Sequence, residues 1–225
     1  MLNFGKTLFF FAHPDDETLS AGGTINLLNQ KKFKLKLLIA SKGITSREKY
    51  SKVDIRKNVD DLIKASKKLG LNKNQVIVGD FEDNAMDSYK LLDVCRFLEK
   101  TVKDFKPNTI FTHNPFCTNQ DHRVCYEASV IVTRPTSKKK INLICCETLS
   151  SSGYLKPNNF DPNLYISLKE QNIKNKILAM NEYNFEKRKQ PHPRSEEVIK
   201  SLSKFRGSIC GSLFAEAFMV NSLYV

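Results

Sequence analysis

One junction near the start limits what this chain can fold into. Thr7-Leu8-Phe9-Phe10-Phe11 is a short, β-prone and almost wholly apolar run, and Pro14 follows it closely. A run of this length without polar alternation reads as a strand buried on both faces. Pro14 ends the strand, because proline offers no N–H to a ladder and restricts the residue before it. Asp15, Asp16 and Glu17 come next, then Thr18 to Gly22-Gly23 and on to Ile25, Leu27 and Leu28. This reads as a helix with carboxylates at its positive N-terminal end. One imidazole, His13, and three carboxylates are thus gathered where a strand hands over to a helix. In an open parallel α/β sheet, ligands bind beyond the carboxyl ends of the strands. His, Asp and Glu are also ligand types that suit zinc.

The rest of the chain repeats the alternation. Phe33 to Ala40 reads as a second strand, with a loop over Ser41–Ser46 at its end. Ser51 to Leu69 has helical spacing, with Val53, Val59, Leu62, Ile63, Ala65 and Leu69 on one face and Gly70 as the stop. Gln75–Gly79 is a third strand, followed by an acidic loop over Asp80–Asp87. Leu91, Leu92, Val94, Cys95, Leu98 and Val102 mark a third helix. Thr109–Thr112 is a fourth strand, and His113 to Arg123 is the loop after it. Ile141 to Cys146 is a fifth. Ser150 to Pro162 is rich in Ser, Asn, Gly and Pro, so it reads as a loop or lid. Leu164–Leu168 is a short strand, Lys169–Tyr183 a helix, and Ser195 caps a further helix. No element is assigned to the stretch from Gly207 onward, which contains Gly211 and Ala215-Glu216-Ala217-Phe218.

Strands alternating with helices imply a doubly wound, mostly parallel α/β sheet with helices on both faces. The expected organisation is one domain over 1–225. Residues 1–149 form its Rossmann-like core, and 150–225 form a lid and C-terminal elaboration.

Composition narrows the function classes. The 225 residues carry a net charge of +12, but the lysines are scattered, and the only run of three lysines is the cluster Lys138-Lys139-Lys140. With no accompanying nucleic-acid motif this is a solvated basic surface, so no nucleic acid is expected as partner. No apolar run is long enough to span a bilayer, and the N-terminus does not read as a signal peptide, which predicts a cytoplasmic protein. The six cysteines form no C-x-x-C pair and are expected to be free thiols. A homo-oligomer is compatible with the C-terminal segment packing on a neighbour.

Strands one and four of a doubly wound sheet are commonly adjacent where strand order reverses. Their loops then bring His13, Asp15 and Asp16 near His113, Asp121 and His122. Two His and one Asp, with a fourth position open to water, is a catalytic zinc arrangement.

Ala12-His13-Pro14-Asp15-Asp16-Glu17 together with Asp121-His122 resembles the LmbE-like family of zinc-dependent N-deacetylases, which includes the N-acetylglucosaminyl-phosphatidylinositol de-N-acetylases. Arg56 to Gly70, Pro191-His192-Pro193-Arg194-Ser195 and Ala215-Glu216-Ala217-Phe218 extend the resemblance, the last two toward sugar-processing bacterial members. The resemblance implies His13, Asp16 and His122 as ligands of Zn2+, with Fe2+ an alternative. It implies Asp15 as the general base that deprotonates the metal-bound water. The implied substrate is a small-molecule N-acetyl amino sugar or sugar conjugate, free or linked to a nucleotide or lipid.

One position departs from the family. Many members have a His three residues before the second zinc His, and here that residue is Asn119. Asn donates a hydrogen bond but cannot act as an acid, so His192 is expected to supply the missing imidazole, with His113 as the other candidate. Arg56, Asp83 and His113 are expected at the substrate. Glu17 and Asp121 are expected to support the ligands from behind, Glu17 by orienting His13 or by buttressing the loop. Two rival readings remain: an amidohydrolase acting on a non-sugar N-acyl group, and a basic, non-catalytic nucleic-acid-binding or scaffold protein.

Overall fold

The structure, a computed structural model, describes residues 3–136, 139–155 and 160–224. Lys138 of the basic cluster, residues 156–159 of the Ser150–Pro162 segment and Val225 lie outside the described residues. Seven strands form one sheet: β1 (Thr7–Phe11), β2 (Leu35–Ser41), β3 (Val76–Phe81), β4 (Thr109–His113), β5 (Asn142–Cys146), β6 (Leu164–Leu168) and β7 (Phe214–Ser222). Their order across the sheet is β3-β2-β1-β4-β5-β7-β6. The first five are parallel, whereas β7 runs antiparallel to both β5 and β6. Strand order reverses between β1 and β4, where Thr7–Phe9 pair with Thr109–Phe111.

Among the described residues, six helices cover the sheet: α1 (Asp16–Gln30), α2 (Lys52–Lys68), α3 (Leu91–Phe105), α4 (Gln120–Val132), α5 (Glu170–Glu182) and α6 (Glu196–Ile209). The central strands are apolar on both sides because both sides are covered. Phe9, Phe11, Leu37 and Ile39 pack with Leu62, Ala65, Ile173, Ile177 and Ile199 of α2, α5 and α6. The alternate residues Leu8, Phe10, Leu38 and Ala40 pack on the opposite face with Val94, Leu98 and Val102 of α3 and Val124 and Ala128 of α4. No helix among the described residues is long and apolar enough to cross a membrane.

Three expectations need correction. The C-terminal stretch is a full strand, β7, inserted between β5 and β6. Val53 and Leu92 were expected on apolar faces but are 47% and 54% exposed. Each sits in the first turn of its helix, beyond the reach of the sheet.

Helix α1 is broken at Ala21, whose φ of −143° and ψ of 16° are not helical. A buried ion pair fills the break. Glu216 of β7 accepts hydrogen bonds from the Gly23 and Thr24 amides (2.9 and 2.7 Å). Lys176 of α5 donates to Leu19 O (2.9 Å) and to Glu216 (2.7 Å). An anion thus caps the second half-helix and a cation ends the first, as the helix dipoles require. A Cβ at Gly23 would lie 2.5 Å from Leu168 Cδ1 and 3.2 Å from Glu216 Oε1, so any larger residue there displaces the Leu168 side chain and crowds the anion.

Candidate functional site

Loops at the carboxyl ends of the parallel strands, with the segment between α5 and α6, enclose a polar cavity of about 440 Å3. Its lining includes His13, Asp15, Asp16, Asp83, Asn119, His122 and His192. Gly43, at φ +69°, brings the β2–α2 loop against Pro14: an added Cβ would lie 2.8 Å from Asn58 Nδ2 and 3.1 Å from Pro14 Cδ.

The β1–α1 junction turns sharply. Asp15 adopts φ 107° and ψ −29°, and its side chain makes no bond to cap α1. A non-glycine residue held there costs on the order of 1–3 kcal/mol, which the surrounding structure must offset. The turn points Asp15 at the cavity, while Asp16 folds back so that its Oδ2 accepts the His13 amide (2.9 Å). That oxygen is also 3.2 Å from His13 Nδ1 and 3.2 Å from His122 Nε2.

The remaining ring contacts orient the histidines. His13 Nε2 lies 2.8 Å from Asp121 Oδ2 and 3.2 Å from Asp83 Oδ1. Nε2 thus faces Asp121 and Nδ1 faces Asp16. His122 Nδ1 lies 3.3 Å from Ser151 Oγ, and its Nε2 also faces Asp16. Asp121 is held in turn by the amides of Asn84 (2.7 Å) and Met86 (2.9 Å). Burial pushes the His13 imidazole down, but Asp121, Asp16 and Asp83 outweigh it and hold it well above the ordinary histidine value. Burial likewise pushes Asp16 up, yet His122 and His113 hold it well below the usual carboxylate range. The pocket thus demands positive charge between these groups.

Three sets of side chains could hold a cation: His13 with Asp16 and His122, His13 with Asp83 and Asp121, and His113 with Cys117 and His122. Ligands about 2.0–2.1 Å from a tetrahedral zinc ion stand about 3.3 Å apart, close to the two 3.2 Å separations of the first set. In the second set both Asp121 oxygens already accept amide hydrogens. In the third, His113 Nε2 accepts the Ala12 amide (3.0 Å). The donors of the first set therefore fit a divalent ion best.

The other expected residues fall into two groups. Asp83 lines the cavity and accepts from Ser46 Oγ (2.6 Å). Asn119 caps α4, its Oδ1 accepting from the Asp121 amide (2.9 Å) and its Nδ2 donating to Asn84 (2.8 Å). His192 lines the cavity with Nδ1 accepting the Arg194 amide (3.1 Å), so a neutral ring carries its proton on Nε2. Glu17 is wholly buried and touches Asp15 rather than His13, accepting the Asp15 amide (3.2 Å) and the Tyr183 hydroxyl (2.5 Å).

Two residues expected at the substrate are placed elsewhere. His113 has no exposed surface; it stacks on His122 with ring centroids 3.6 Å apart and so braces it from behind. Arg56 is exposed on α2 and is not in the cavity lining, where Asn58 stands instead.

Three charged cavity residues were not singled out from sequence: Arg47, Glu186 and Arg194. Arg194 Nε is 3.1 Å from Asp15 Oδ2, and Arg194 Nη1 is 2.5 Å from Glu186 Oε2. Arg47 pairs with the other Glu186 oxygen. Burial holds the Asp15 carboxyl well above its ordinary range, and Arg194 opposes this without cancelling it.

A family model described as PIG-L, GlcNAc-PI de-N-acetylase, matches residues 8–133. A probable N-acetylglucosaminyl-phosphatidylinositol de-N-acetylase from Schizosaccharomyces pombe is 26% identical over 145 residues, 60% of this chain and 54% of that protein. The chain thus spans about half the length of this curated relative. The N,N'-diacetylchitobiose deacetylase of Pyrococcus horikoshii, solved with its inhibitor MPG, superposes with a TM-score of 0.71 at 15% identity, covering 96% of this chain and 83% of its own. GalB, the 4-carboxy-2-hydroxymuconate hydratase of Pseudomonas putida KT2440, gives 0.75 at 17% identity, covering 98% of each chain. At these identities the likeness concerns the fold, which carries more than one chemistry.

Proposed function

This chain belongs to the PIG-L family of GlcNAc-PI de-N-acetylases, and from that premise we propose that it removes the N-acetyl group from an amino sugar or sugar conjugate by metal-dependent hydrolysis. The products are acetate and a free amine. The observation that carries this is the convergence of His13 Nδ1 and His122 Nε2 on the Asp16 carboxylate, beside a second carboxylate in a polar cavity. His13, Asp16 and His122 then hold zinc or iron(II), with Asp121 orienting His13. When bound, such an ion polarises an acyl oxygen and makes water more acidic.

Asp15 takes the proton of the attacking water and returns it to the departing nitrogen. Its raised affinity for a proton suits it to both steps. His192 Nε2–H and the second amide hydrogen of Asn119 are the donors for the developing oxyanion. Asp83 accepts from sugar hydroxyls. We read 1–225 as one domain, because a single sheet runs through both the core and the elaboration. The six free cysteines favour a reducing compartment, hence the cytoplasm.

The test is metal content and acetate release on the zinc- or iron-reconstituted protein, native and Asp16→Ala. The probes are N,N'-diacetylchitobiose and nucleotide-linked N-acetylglucosamine. About one ion per chain is expected, with acetate and amine appearing in equal amounts, and both readouts lost in the variant. Protein that binds no metal after reconstitution refutes the hydrolase and favours a binding role. Metal without acetate points to another chemistry on the same fold.

A further inference from the structure

Asp15 presents a structural problem. It sits at a φ of 107° with no cap bond, its chain neighbours Asp16 and Glu17 are acids, and its buried Oδ2 accepts no aligned hydrogen bond. A carboxylate so placed needs something else to fix its direction. The one cation that an ion pair brings to it, among the described residues, is Arg194, whose Nε stands 3.1 Å from Oδ2.

Arg194 is itself tied down. Its Nη1 donates to Glu186 Oε2 (2.5 Å), its amide donates to His192, and the buried Ser195 that follows caps α6. The other Glu186 oxygen takes Arg47. Arg47 in turn donates to Phe185 O (3.0 Å) and lies over the Phe185 ring, 5.5 Å from its centroid. Four alternating charges, Asp15, Arg194, Glu186 and Arg47, thus cross the cavity from the β1–α1 junction to the β2–α2 loop. The Nε contact to Asp15 is a close ion pair without an aligned hydrogen bond, so the Glu186 bond to Nη1 holds the planar guanidinium beside Asp15, a placement that a lysine ammonium cannot reproduce.

We propose that Arg194 is the positioning residue for Asp15, held in place by Glu186 against Arg47. This rests on the assignment of Asp15 as the general base. Arg194 acts through Asp15 rather than on the substrate, so its loss lowers turnover and leaves substrate affinity nearly intact.

The metal-loaded protein is assayed for acetate release from N,N'-diacetylchitobiose. Arg194→Ala is expected to lower kcat about 100-fold, the effect of a small misplacement of a reacting group, with KM changed less than about threefold. Arg194→Lys stays low, and millimolar methylguanidinium restores part of the activity of Arg194→Ala but none to Asp15→Asn. An unchanged kcat, or a loss carried by KM alone, overturns the proposal. Melting temperatures give a readout independent of turnover: Asp15→Asn and Arg194→Ala combined should lower Tm by less than the two single losses together. Simple additivity overturns the pairing. If the native protein releases no acetate from any probe, the deacetylase reading and the base-positioning role both fall, while the melting series still decides whether the two side chains are coupled.

Discussion

Replacing Lys176 by Met tests whether its pair with Glu216 holds the broken helix α1 together. Lys176 and Glu216 are 3% and 5% exposed, so the substitution leaves a buried carboxylate without its cation. Removing one partner of a buried pair costs about 3–5 kcal/mol. Glu216 keeps two amide hydrogen bonds, from Gly23 and Thr24, and the positive end of a half-helix, which puts the cost near the lower limit. The Leu19 carbonyl also loses its donor, an added loss of about 1–3 kcal/mol if nothing replaces it. A total of about 4 kcal/mol corresponds to a fall in Tm of about 8–16 °C for a domain of this size. Thermal unfolding followed by circular dichroism measures it. Lys176→Met combined with Glu216→Leu should recover part of the loss, because no charge is then stranded. A fall equivalent to less than about 1 kcal/mol would refute the claim that the pair bridges the break in α1.

Two further outcomes follow from the site. Asp121→Asn should weaken zinc binding about 10–100-fold, because His13 loses the carboxylate that orients its ring; competition with a chromogenic chelator measures this, and unchanged affinity would mean that something else orients His13. Burial, Arg194 and Arg188 hold the His192 imidazole below its ordinary value. The unfolded chain then binds that proton before the native one does, so stability rises with pH through the range just below about 6.5. His192→Gln should flatten the dependence of Tm on pH between about 5 and 7, and a steeper dependence in the variant would contradict the direction of the shift.

What could be read from sequence depended on whether the cause was local. Strand β1 was legible because both its faces are covered, so its apolar run is unbroken. Strand β7 was not: Glu216 interrupts Phe214-Ala215-Glu216-Ala217-Phe218, and its burial makes sense only beside Lys176 and the open amides of α1. Around the cavity, His13, Asp16 and His122 stand in short motifs tied to strand ends, and the structure brings them together. Arg47, Glu186 and Arg194 come from separate stretches and resemble any surface charges until the fold joins them. Arg56 illustrates a limit of helical phase. The buried side of α2 runs through Asn58, Asp61, Leu62 and Ala65, and a residue two positions before Asn58 points about 200° away from it.

The sheet topology also sets an order of assembly. Strand β6 finds its ladder partner only in β7, and β7 bridges it to β5. During synthesis, Leu164–Leu168 must wait while α5 and α6 are made, a few seconds at about 5–20 residues per second. Over that interval the β5 edge is open, and unpaired edges are where chains adhere to one another. Glu216 arrives on the same late strand, so α1 is without its buried anion until then. The nascent protein therefore spends its riskiest seconds with an incomplete sheet and an unsettled β1–α1 loop, and productive loading of the proposed metal site belongs after β7 has docked.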